Sequence, residues 1–284
     1  MNTYETIDLN DYIQTGEGGT ALTYNHKDGK TLAKLFMPGM GAEQAEREFK
    51  VNQVVYDMGL PTPKPIRLVT DGTRFGAEYE LIQNKRSFAR IISQEPEQLE
   101  PLSILFAKLA KQLHAKEADT AHLHSMKELA REQIARYEAI PLETRKRALA
   151  ALDEVPDATT CLHGDLHIGN IITDGKRNLW IDVGDFAYGC PEWDLCTLFF
   201  TTHNLREDKA DEYFHVTPDV LKKHWDIFAS VYFETADPEV LQSKGKLLYH
   251  FFALHLLYVI GKTNNAFGAP IDYVVKQVNS YLLH

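Results

Sequence analysis

The sequence predicts an α+β fold in which a segment of short strands precedes a longer, mainly helical segment. Short runs of strand-forming residues, separated by turns containing glycine, asparagine or proline, fill the first 82 residues. From Ser87 onward, most apolar residues recur at the three- and four-residue spacing of an amphipathic helix. With 284 residues and 44% hydrophobic content, the chain can bury one large core or two modest ones.

The first strands enclose a glycine-rich loop. Residues 12–14 and 21–24 are predicted strands, and the loop between them contains Gly16, Gly18 and Gly19. Backbone N–H groups of glycines can approach phosphate oxygens closely, so these three residues are candidates for covering a nucleotide. An ordinary hairpin is the alternative, because the loop lacks the Gly-Lys-Ser/Thr ending of a Walker motif.

Lys34 is the candidate phosphate-binding side chain of this segment. It lies inside the predicted strand Thr31–Phe36, between apolar neighbours. The next segment, Gly41–Met58, is a predicted helix that ends before a proline-rich stretch. Glu48 on this helix is the expected partner of Lys34, with Glu46 as the alternative because the two point in different directions. The alternative is that Lys34 and Glu48 do not pair and that both side chains only face solvent.

The remaining elements are mostly helices. A second hairpin is predicted from Ile66–Thr70 and Phe75–Ile82, and helices follow at Ser87–Ser93 and Leu99–His114. The charged segment Lys127–Leu152 is predicted to be a helix, either an insertion or a helix that covers the core.

Charge and cysteine content narrow the class of protein. The net charge of −10 argues against a nucleic-acid partner and fits a cationic or polyhydroxyl ligand. Three cysteines form neither a disulfide framework nor a zinc-binding spacing. The first residues lack the basic and apolar regions of an export signal, and the most apolar run, Leu247–Ile260, is a predicted buried helix too short to span a bilayer. We therefore expect a cytoplasmic protein with reduced thiols and no membrane partner.

The segment Cys161–Leu195 contains the strongest chemical signal. Asp165 and Asn170 are five positions apart, and a predicted hairpin at residues 171–181 separates them from Asp182. In phosphoryl transfer, one carboxylate takes the proton of the acceptor hydroxyl, while an amide and a second carboxylate supply oxygen ligands to Mg²⁺ on the nucleotide phosphates. The five-residue step is also that of the protein-kinase catalytic loop. Each fragment alone has a structural alternative, a tight turn or a helix cap, but the ordered set favours catalysis.

The complete motif resembles that of the aminoglycoside phosphotransferase and choline kinase-like family. It reads His163-Gly164-Asp165, then Asn170, then Ile181-Asp182-Val183-Gly184-Asp185. The resemblance implies a bilobal, protein-kinase-like fold, with a small antiparallel-sheet N-lobe at residues 1–82 that binds nucleotide and a larger, mostly helical catalytic and acceptor-binding C-lobe at residues 83–284. It also implies ATP and Mg²⁺, with a small-molecule hydroxyl as acceptor, such as choline, an amino sugar or an aminoglycoside.

The resemblance assigns roles to residues on both sides of the hairpin. Asp165 is the expected catalytic base, and His163 is expected to stabilise its loop through hydrogen bonds. Asn170 and Asp182 are the expected Mg²⁺ ligands. Asp185 is expected to contact the acceptor or to support the metal site.

Further expected roles fall on the N-terminal segment and on the start of the next helix. Lys34 and Glu48 are expected to orient the phosphates. Glu48 follows an arginine, and this Arg-Glu pair matches the family. The exit of the second hairpin resembles the hinge between kinase lobes, so the main chain of Glu80 and Ile82 is expected to contact adenine. Trp193 is a candidate acceptor contact, although most aromatic residues of this region are expected to form a helical core.

Two positions qualify the resemblance. Cys190 stands where the family has an aspartate, which leaves Asp194 to anchor the following helix. His114 resembles the histidine of a Leu-His pair ahead of the catalytic segment, and we expect a packing or capping role for it. A nucleotide-binding pseudokinase without turnover is the competing function, and the presence of every motif group needed for catalysis argues against it.

Overall fold

The computed structural model of the chain describes residues 3–17 and 20–282. Packing divides the chain into two compact units. The first is Met1–Phe88 with Asn170–Phe186, and the second is Ala89–Gly169 with Ala187–His284. The hairpin after the predicted catalytic loop therefore packs with the N-terminal segment. The predicted boundary at residues 82–83 separates a nucleotide-binding lobe from a catalytic and acceptor-binding lobe. This assignment of functions to the two lobes stays a prediction.

Strands and helices of the described residues follow the predicted order. The strands are β1 (Glu5–Thr6), β2 (Tyr12–Glu17), β3 (Ala21–His26), β4 (Thr31–Phe36), β5 (Pro65–Thr70), β6 (Phe75–Glu80), β7 (Arg86–Ser87), β8 (Cys161–Leu162), β9 (Ile171–Thr173), β10 (Asn178–Trp180) and β11 (Ala187–Tyr188). The helices are α1 (Ala42–Asp57), α2 (Phe88–Gln94), α3 (Leu99–His114), α4 (Met126–Arg136), α5 (Leu142–Asp153), α6 (Glu192–Asn204), α7 (Glu207–Phe214), α8 (Pro218–Tyr232), α9 (Pro238–Lys262) and α10 (Ile271–Tyr281).

A six-stranded sheet in the order β1-β5-β6-β4-β3-β2 forms the core of the first unit. Its neighbours are antiparallel except for β1, which runs parallel to β5, so the expected all-antiparallel sheet is mixed at this edge. Side chains alternate between the two faces, as the strand period requires. Leu68 and Ala77 pack with Phe49 of α1 on one face, and Ala33 and Val69 pack on the other.

The predicted hairpin consists of β9 and β10, and β7 adds a third strand beside β9. Asp174 closes its turn by accepting hydrogen bonds from the N–H groups of Lys176 and Arg177, at 2.9 and 2.8 Å. Ile172 and Leu179 face the same buried cluster. The hairpin is therefore fixed both at its turn and by its apolar face.

The second unit is mainly helical. α3 packs against α8, and α6 packs against α9. Phe106 and Phe228 meet in its interior, with ring centroids 5.5 Å apart. β8 and β11 form a two-stranded ribbon that pairs Cys161 with Tyr188, and the loop containing Asp165 follows β8.

The segment Lys127–Leu152, predicted as one helix, is two helices, α4 and α5. Tyr137 ends α4 in an extended conformation, and Pro141 precedes α5. Proline lacks an N–H and disfavours the helical conformation in the residue before it, so one helix cannot run through this point. Ser125 caps α4 by accepting a hydrogen bond from the N–H of Glu128 at 3.3 Å.

α9 contains the predicted buried segment Leu247–Ile260. Phe251, Leu254 and Leu257 lie in the core of the second unit. No helix within the described ranges is both long enough and apolar enough to cross a membrane.

Candidate active site

Lys34 lies between two carboxylates of the first unit. Its Nζ donates hydrogen bonds to Glu48 Oε1 at 2.9 Å and to Asp182 Oδ1 at 2.7 Å. Burial by itself lowers the pKa of a lysine, but the charges of Asp182 and Glu48 outweigh it and raise the pKa of Lys34. Lys34 is therefore a fixed cation at neutral pH, and its predicted pairing with Glu48 rather than Glu46 is confirmed.

Three elements bring these charges together. Lys34 lies on β4 opposite Ala77 of β6, so its side chain shares the sheet face against which α1 packs. Glu48 comes from α1 and passes over Gly184. A Cβ atom at Gly184 would lie 2.8 Å from Glu48 Cγ, so a side chain there would displace the glutamate. A glycine at 184 is thus part of what positions Glu48.

Asp182 follows the hairpin in an unusual backbone conformation. Its φ of 55° and ψ of 42° lie in the left-handed region, which aspartate adopts more easily than bulky residues do. The chain then enters a 3-10 turn at Val183–Asp185, in which Asp185 is exposed. The side chain of Asp182 is 55% exposed, so the cluster opens to solvent at this carboxylate.

Asn170 lies at the same end of the hairpin as Asp182. The N–H of Ile181 donates to the carbonyl oxygen of Asn170 at 3.0 Å, so Asp182 follows the residue that pairs with Asn170. Amide and carboxylate oxygens are the ligand types that Mg²⁺ prefers in proteins. The residues predicted to bind the ion are thus brought to one hairpin end, while their role in binding it stays a prediction.

The loop containing Asp165 is held by Asp194 in the second unit. The buried carboxylate of Asp194 accepts hydrogen bonds from the N–H groups of His163 and Gly164, at 2.7 and 2.8 Å. Gly164 has a φ of 84°, a conformation that favours glycine. The N–H of Asp165 donates to His163 Nδ1 at 3.3 Å, so His163 does support the loop. The side chain of Asp165 is 57% exposed, and His167 Nε2 lies 3.4 Å from its Oδ2.

Asp194 has a second set of partners that sequence reasoning missed. His114 Nε2 lies 3.1 Å from Asp194 Oδ2, and His114 Nδ1 lies 2.7 Å from the hydroxyl of Tyr232. Charged hydrogen bonds of a buried carboxylate are strong when every partner is present. His114 therefore packs as expected, and it also orients the carboxylate that holds the loop containing Asp165. The signal in the sequence was the resemblance of His114 to the histidine of a Leu-His pair ahead of the motif, which gave no indication of this contact.

The glycine-rich loop is described only in part. Gly16 belongs to β2, which extends further than predicted, and lies next to a β-bulge. A Cβ atom at Gly16 would lie 2.6 Å from Thr23 Oγ1 of the neighbouring strand, so a side chain there would displace the Thr23 hydroxyl. Gly18 and Gly19 lie outside the described residues, and their predicted contact with a nucleotide stays a prediction.

The predicted hinge residues are already engaged in packing. The N–H of Glu80 donates to the carbonyl of Lys64 at 2.9 Å, and Glu80 Oε1 lies 3.3 Å from Arg177 Nη1. Ile82 is buried with the apolar face of the hairpin. The predicted contacts of the Glu80 and Ile82 main chain with adenine stay a prediction.

Trp193 and Cys190 are both buried near the start of α6. The indole of Trp193 makes an edge contact with Phe251, with ring centroids 5.3 Å apart. The Cys190 thiol donates to the carbonyl of Pro156 at 3.0 Å, and burial raises its pKa to about 11. A neutral thiol thus occupies the position of the family's aspartate. An acceptor contact by Trp193 stays a prediction.

A protein-family model matches most of the chain. Residues 12–224 match the model described as the phosphotransferase enzyme family. The matched span includes the Lys34 cluster, the hairpin and the loop of Asp165.

Solved structures with the same fold have low sequence identity to the chain. A thermostable mutant of aminoglycoside phosphotransferase APH(4)-Ia, in ternary complex with ADP and hygromycin B, has a TM-score of 0.60 and 14% identity over 96% of this chain and 93% of that one. A choline/ethanolamine kinase family protein from Mesorhizobium loti has a TM-score of 0.58 and 13% identity over 95% and 85%. Amicoumacin kinase hAmiN, in complex with AMP-PNP, Ca²⁺ and Ami, has a TM-score of 0.56 and 15% identity over 98% and 90%. The predicted protein-kinase-like fold, a sheet-containing N-terminal part followed by a helical remainder, is confirmed.

A curated relative matches over a shorter span. Acyl-CoA dehydrogenase family member 11 of Pongo abelii is 25% identical over 175 residues, which cover 55% of this chain and 22% of that protein. The chain thus spans about a fifth of the length of this relative.

Proposed function

The chain belongs to the phosphotransferase enzyme family, and on that premise we propose that it transfers the terminal phosphoryl group of ATP to a hydroxyl group of a small molecule. The Lys34 cation, held by Glu48 at 2.9 Å and by Asp182 at 2.7 Å, is the observation that carries the proposal. A lysine fixed in this way offers its charge to phosphate oxygens without reorganisation during the reaction.

Asn170 and Asp182 are the residues that would hold Mg²⁺. The ion binds proteins through one or two oxygen ligands and completes its coordination with phosphate and water oxygens, which suits one amide and one carboxylate at the hairpin end. When bound, Mg²⁺ neutralises charge on the phosphates. Glu48 would keep Lys34 oriented towards the phosphates while the carboxylate of Asp182 binds Mg²⁺.

Asp165 orients the acceptor hydroxyl and takes its proton in this proposal. Its carboxylate is largely exposed, and its backbone is fixed by His163 and Asp194, so an incoming substrate meets a carboxylate on a rigid loop. Phosphoryl transfer needs little covalent chemistry from the protein, so positioning of this kind supplies much of the rate.

The acceptor class that fits best is a hydroxyl compound that also bears an amine. The chain has a net charge of −10, which attracts cationic ligands. Relatives of the same fold include a choline/ethanolamine kinase family protein and a phosphotransferase crystallised with hygromycin B. We therefore propose an amino alcohol, amino sugar or aminoglycoside-like acceptor.

The test measures ATP-dependent phosphorylation of choline, ethanolamine, glucosamine, hygromycin B and gentamicin by mass spectrometry. The wild-type chain is expected to convert at least one compound to its phosphate ester and to release ADP. Asp165→Asn is expected to lose this turnover while keeping its affinity for ATP, because it removes the base and leaves the Lys34 cluster intact. Asp157→Asn is the matched control, since Asp157 is an exposed carboxylate of the same unit that pairs only with Lys127 among the described contacts.

The competing function is tested by the same experiment. Two results together would show a nucleotide-binding protein without turnover. The chain would bind ATP but phosphorylate none of these compounds, and its slow ATP hydrolysis would be the same in the wild type and in Asp165→Asn.

A further inference from the structure

His167 follows Asp165 by two residues in the same loop, and its ring faces the carboxylate. The Nε2 atom lies 3.4 Å from Asp165 Oδ2. We propose that His167 is a positioning residue for phosphoryl transfer, which fixes the plane of the Asp165 carboxylate and so the direction in which it meets the acceptor hydroxyl. The inference rests on the proposed function, in which Asp165 is the base.

A backbone hydrogen bond selects the tautomer of His167. The N–H of Gly169 donates to His167 Nδ1 at 3.0 Å, so Nδ1 is an acceptor and carries no proton. The single proton of the neutral ring is then on Nε2, the nitrogen that faces Asp165. The ring therefore presents a donor to the carboxylate.

One aromatic contact and one close approach to a glycine also restrain the orientation of the ring. The imidazole makes an edge contact with Phe214 of α7, with centroids 5.2 Å apart and planes at 75°. A Cβ atom at Gly169 would lie 2.9 Å from both Nδ1 and Cε1 of His167. A glycine at 169 thus lets the ring approach its backbone donor closely. The hydrogen bond, the aromatic contact and the absence of a side chain at 169 act on one ring, and a solvated surface histidine requires none of them.

The distance to Asp165 is consistent with a role that tightens during the reaction. At 3.4 Å the contact exceeds the usual range of an N–H···O hydrogen bond by a few tenths of an ångström. Catalytic hydrogen bonds are often long before substrate binds. In this proposal the Asp165 carboxylate moves closer to Nε2 when substrate binds, while Gly169 and Phe214 keep the ring in place.

Turnover of two variants separates positioning from packing. His167→Phe keeps an aromatic ring beside Phe214 and removes both nitrogens, and His167→Gln restores an N–H donor without the ring. We expect His167→Phe to lower kcat about tenfold, with unchanged KM and Kd for ATP, because a lost hydrogen bond to a charged group has an effect of this size. His167→Gln is expected to recover part of the loss, and both variants are expected to keep the wild-type Tm. His122→Phe is the control, since exposed His122 also contacts an aspartate, with Nδ1 2.7 Å from Asp119 Oδ2, and is expected to keep the wild-type kcat.

These outcomes distinguish failure of the inference from failure of the proposed function. If Asp165→Asn retains wild-type turnover, the assignment of the base is wrong and the inference goes with it. If Asp165→Asn abolishes turnover while His167→Phe retains the wild-type kcat, only the role of His167 is overturned. A kcat that is lower by the same factor in His167→Phe and His167→Gln, with a lower Tm in both, also overturns it, because the ring would then matter only for packing.

A spectroscopic test does not depend on finding the acceptor. Long-range ¹H–¹⁵N correlation spectra of the imidazole nitrogens report which of them carries the proton. We expect the proton of the neutral His167 ring to be on Nε2 and not on Nδ1, and Gly169→Ala to shift both resonances by displacing the ring. A proton on Nδ1 would overturn the inference.

Discussion

Two charged clusters lie on opposite faces of the same sheet, and they differ in where the partners of the central charge come from. Lys34 on β4 and Glu78 on β6 face opposite sides, because Lys34 is paired with Ala77 and Glu78 with Ala33. Glu78 is buried and accepts hydrogen bonds at 2.7 Å from the hydroxyls of Tyr12 and Thr31 and from Arg67 Nε.

The difference lies in how the charges are satisfied. The partners of Glu78 come from three strands of the sheet, and its own side chain is 3% exposed, so this carboxylate is closed to solvent although Arg67 is 39% exposed. The Lys34 cluster draws Asp182 from the end of a separate hairpin, outside the sheet, and is open at that carboxylate. The closed cluster is thus satisfied within the sheet, whereas the open cluster depends on an exposed carboxylate from outside it.

The largest expected effect comes from removing the cation of the open cluster. Lys34→Met should lower phosphoryl transfer by about 100-fold or more, because a preorganised charge at the phosphates is lost. Its free energy of unfolding should fall by only about 1 kcal/mol, because Glu48 is 13% exposed and loses its cation while Asp182 remains exposed to water. Steady-state kinetics and urea unfolding measure the two quantities, with Lys111→Met as the control because Lys111 is ion-paired with Glu234 at the surface. A fully active Lys34→Met variant would contradict the proposed role of the cluster.

Glu78→Gln should produce the opposite pattern. It leaves Tyr12, Thr31 and Arg67 with a neutral acceptor that also brings an unwanted N–H donor, so unfolding should become easier by about 2–3 kcal/mol. Phosphoryl transfer should persist at temperatures where the variant is folded. Glu5→Gln is the matched control, because exposed Glu5 contacts the same Arg67 and should cost less than about 1 kcal/mol. Equal losses in the two variants would show that the closed cluster contributes no more than a surface pair.

Acid should weaken the closed cluster in a defined direction. Burial raises the pKa of Glu78, but the hydrogen bonds from Thr31, Tyr12 and Arg67 outweigh it, and the net pKa is below the ordinary value of 4.5. A carboxylate whose pKa is lowered by folding stabilises the fold above its unfolded pKa, and this contribution is lost as pH falls through the folded pKa. The free energy of unfolding should therefore decrease below about pH 4.5, less steeply in Glu78→Gln than in the wild type. Parallel pH profiles would contradict this assignment.

The smallest expected effect concerns the glycine under Glu48. Gly184→Ala places a Cβ atom 2.8 Å from Glu48 Cγ, so the glutamate must shift away from Lys34. Overpacking of this kind costs about 1 kcal/mol, which corresponds to about fivefold weaker ATP binding if the lysine moves with its partner. Gly41→Ala is the control, because an added Cβ there meets nothing within 4 Å. Unchanged ATP affinity in Gly184→Ala would show that Glu48 is not what orients Lys34.

Local patterns predicted most of the fold. The β4 strand, α1, α3 and the β9–β10 hairpin lie where periodicity and turn residues place them, and the family resemblance is confirmed. The parallel strand β1 was missed because two residues carry no periodicity and their partner, β5, is distant in sequence. The prediction of a single helix over Lys127–Leu152 was wrong. The charged residues of this segment gave no sign of the break before Pro141.

The sequence names candidate residues for the site but not the contacts that support them. A lysine inside an apolar strand and a motif of fixed spacing make Lys34, Asp165, Asn170 and Asp182 candidates without a structure, and their roles stay predictions. Glu78 has a similar local setting, and only its tertiary partners reveal that it is structural. The same holds for His114, whose contact with Asp194 joins two distant helices.

The open cluster is tested most directly by calorimetric titration of ATP, with and without Mg²⁺, into the wild-type chain and Asp182→Ala. The wild type should bind ATP tightly only with Mg²⁺, and Asp182→Ala should lose the Mg²⁺-dependent part of the affinity while its Tm stays near that of the wild type. Equal ATP affinity in both proteins, with no effect of Mg²⁺ on either, would contradict the account.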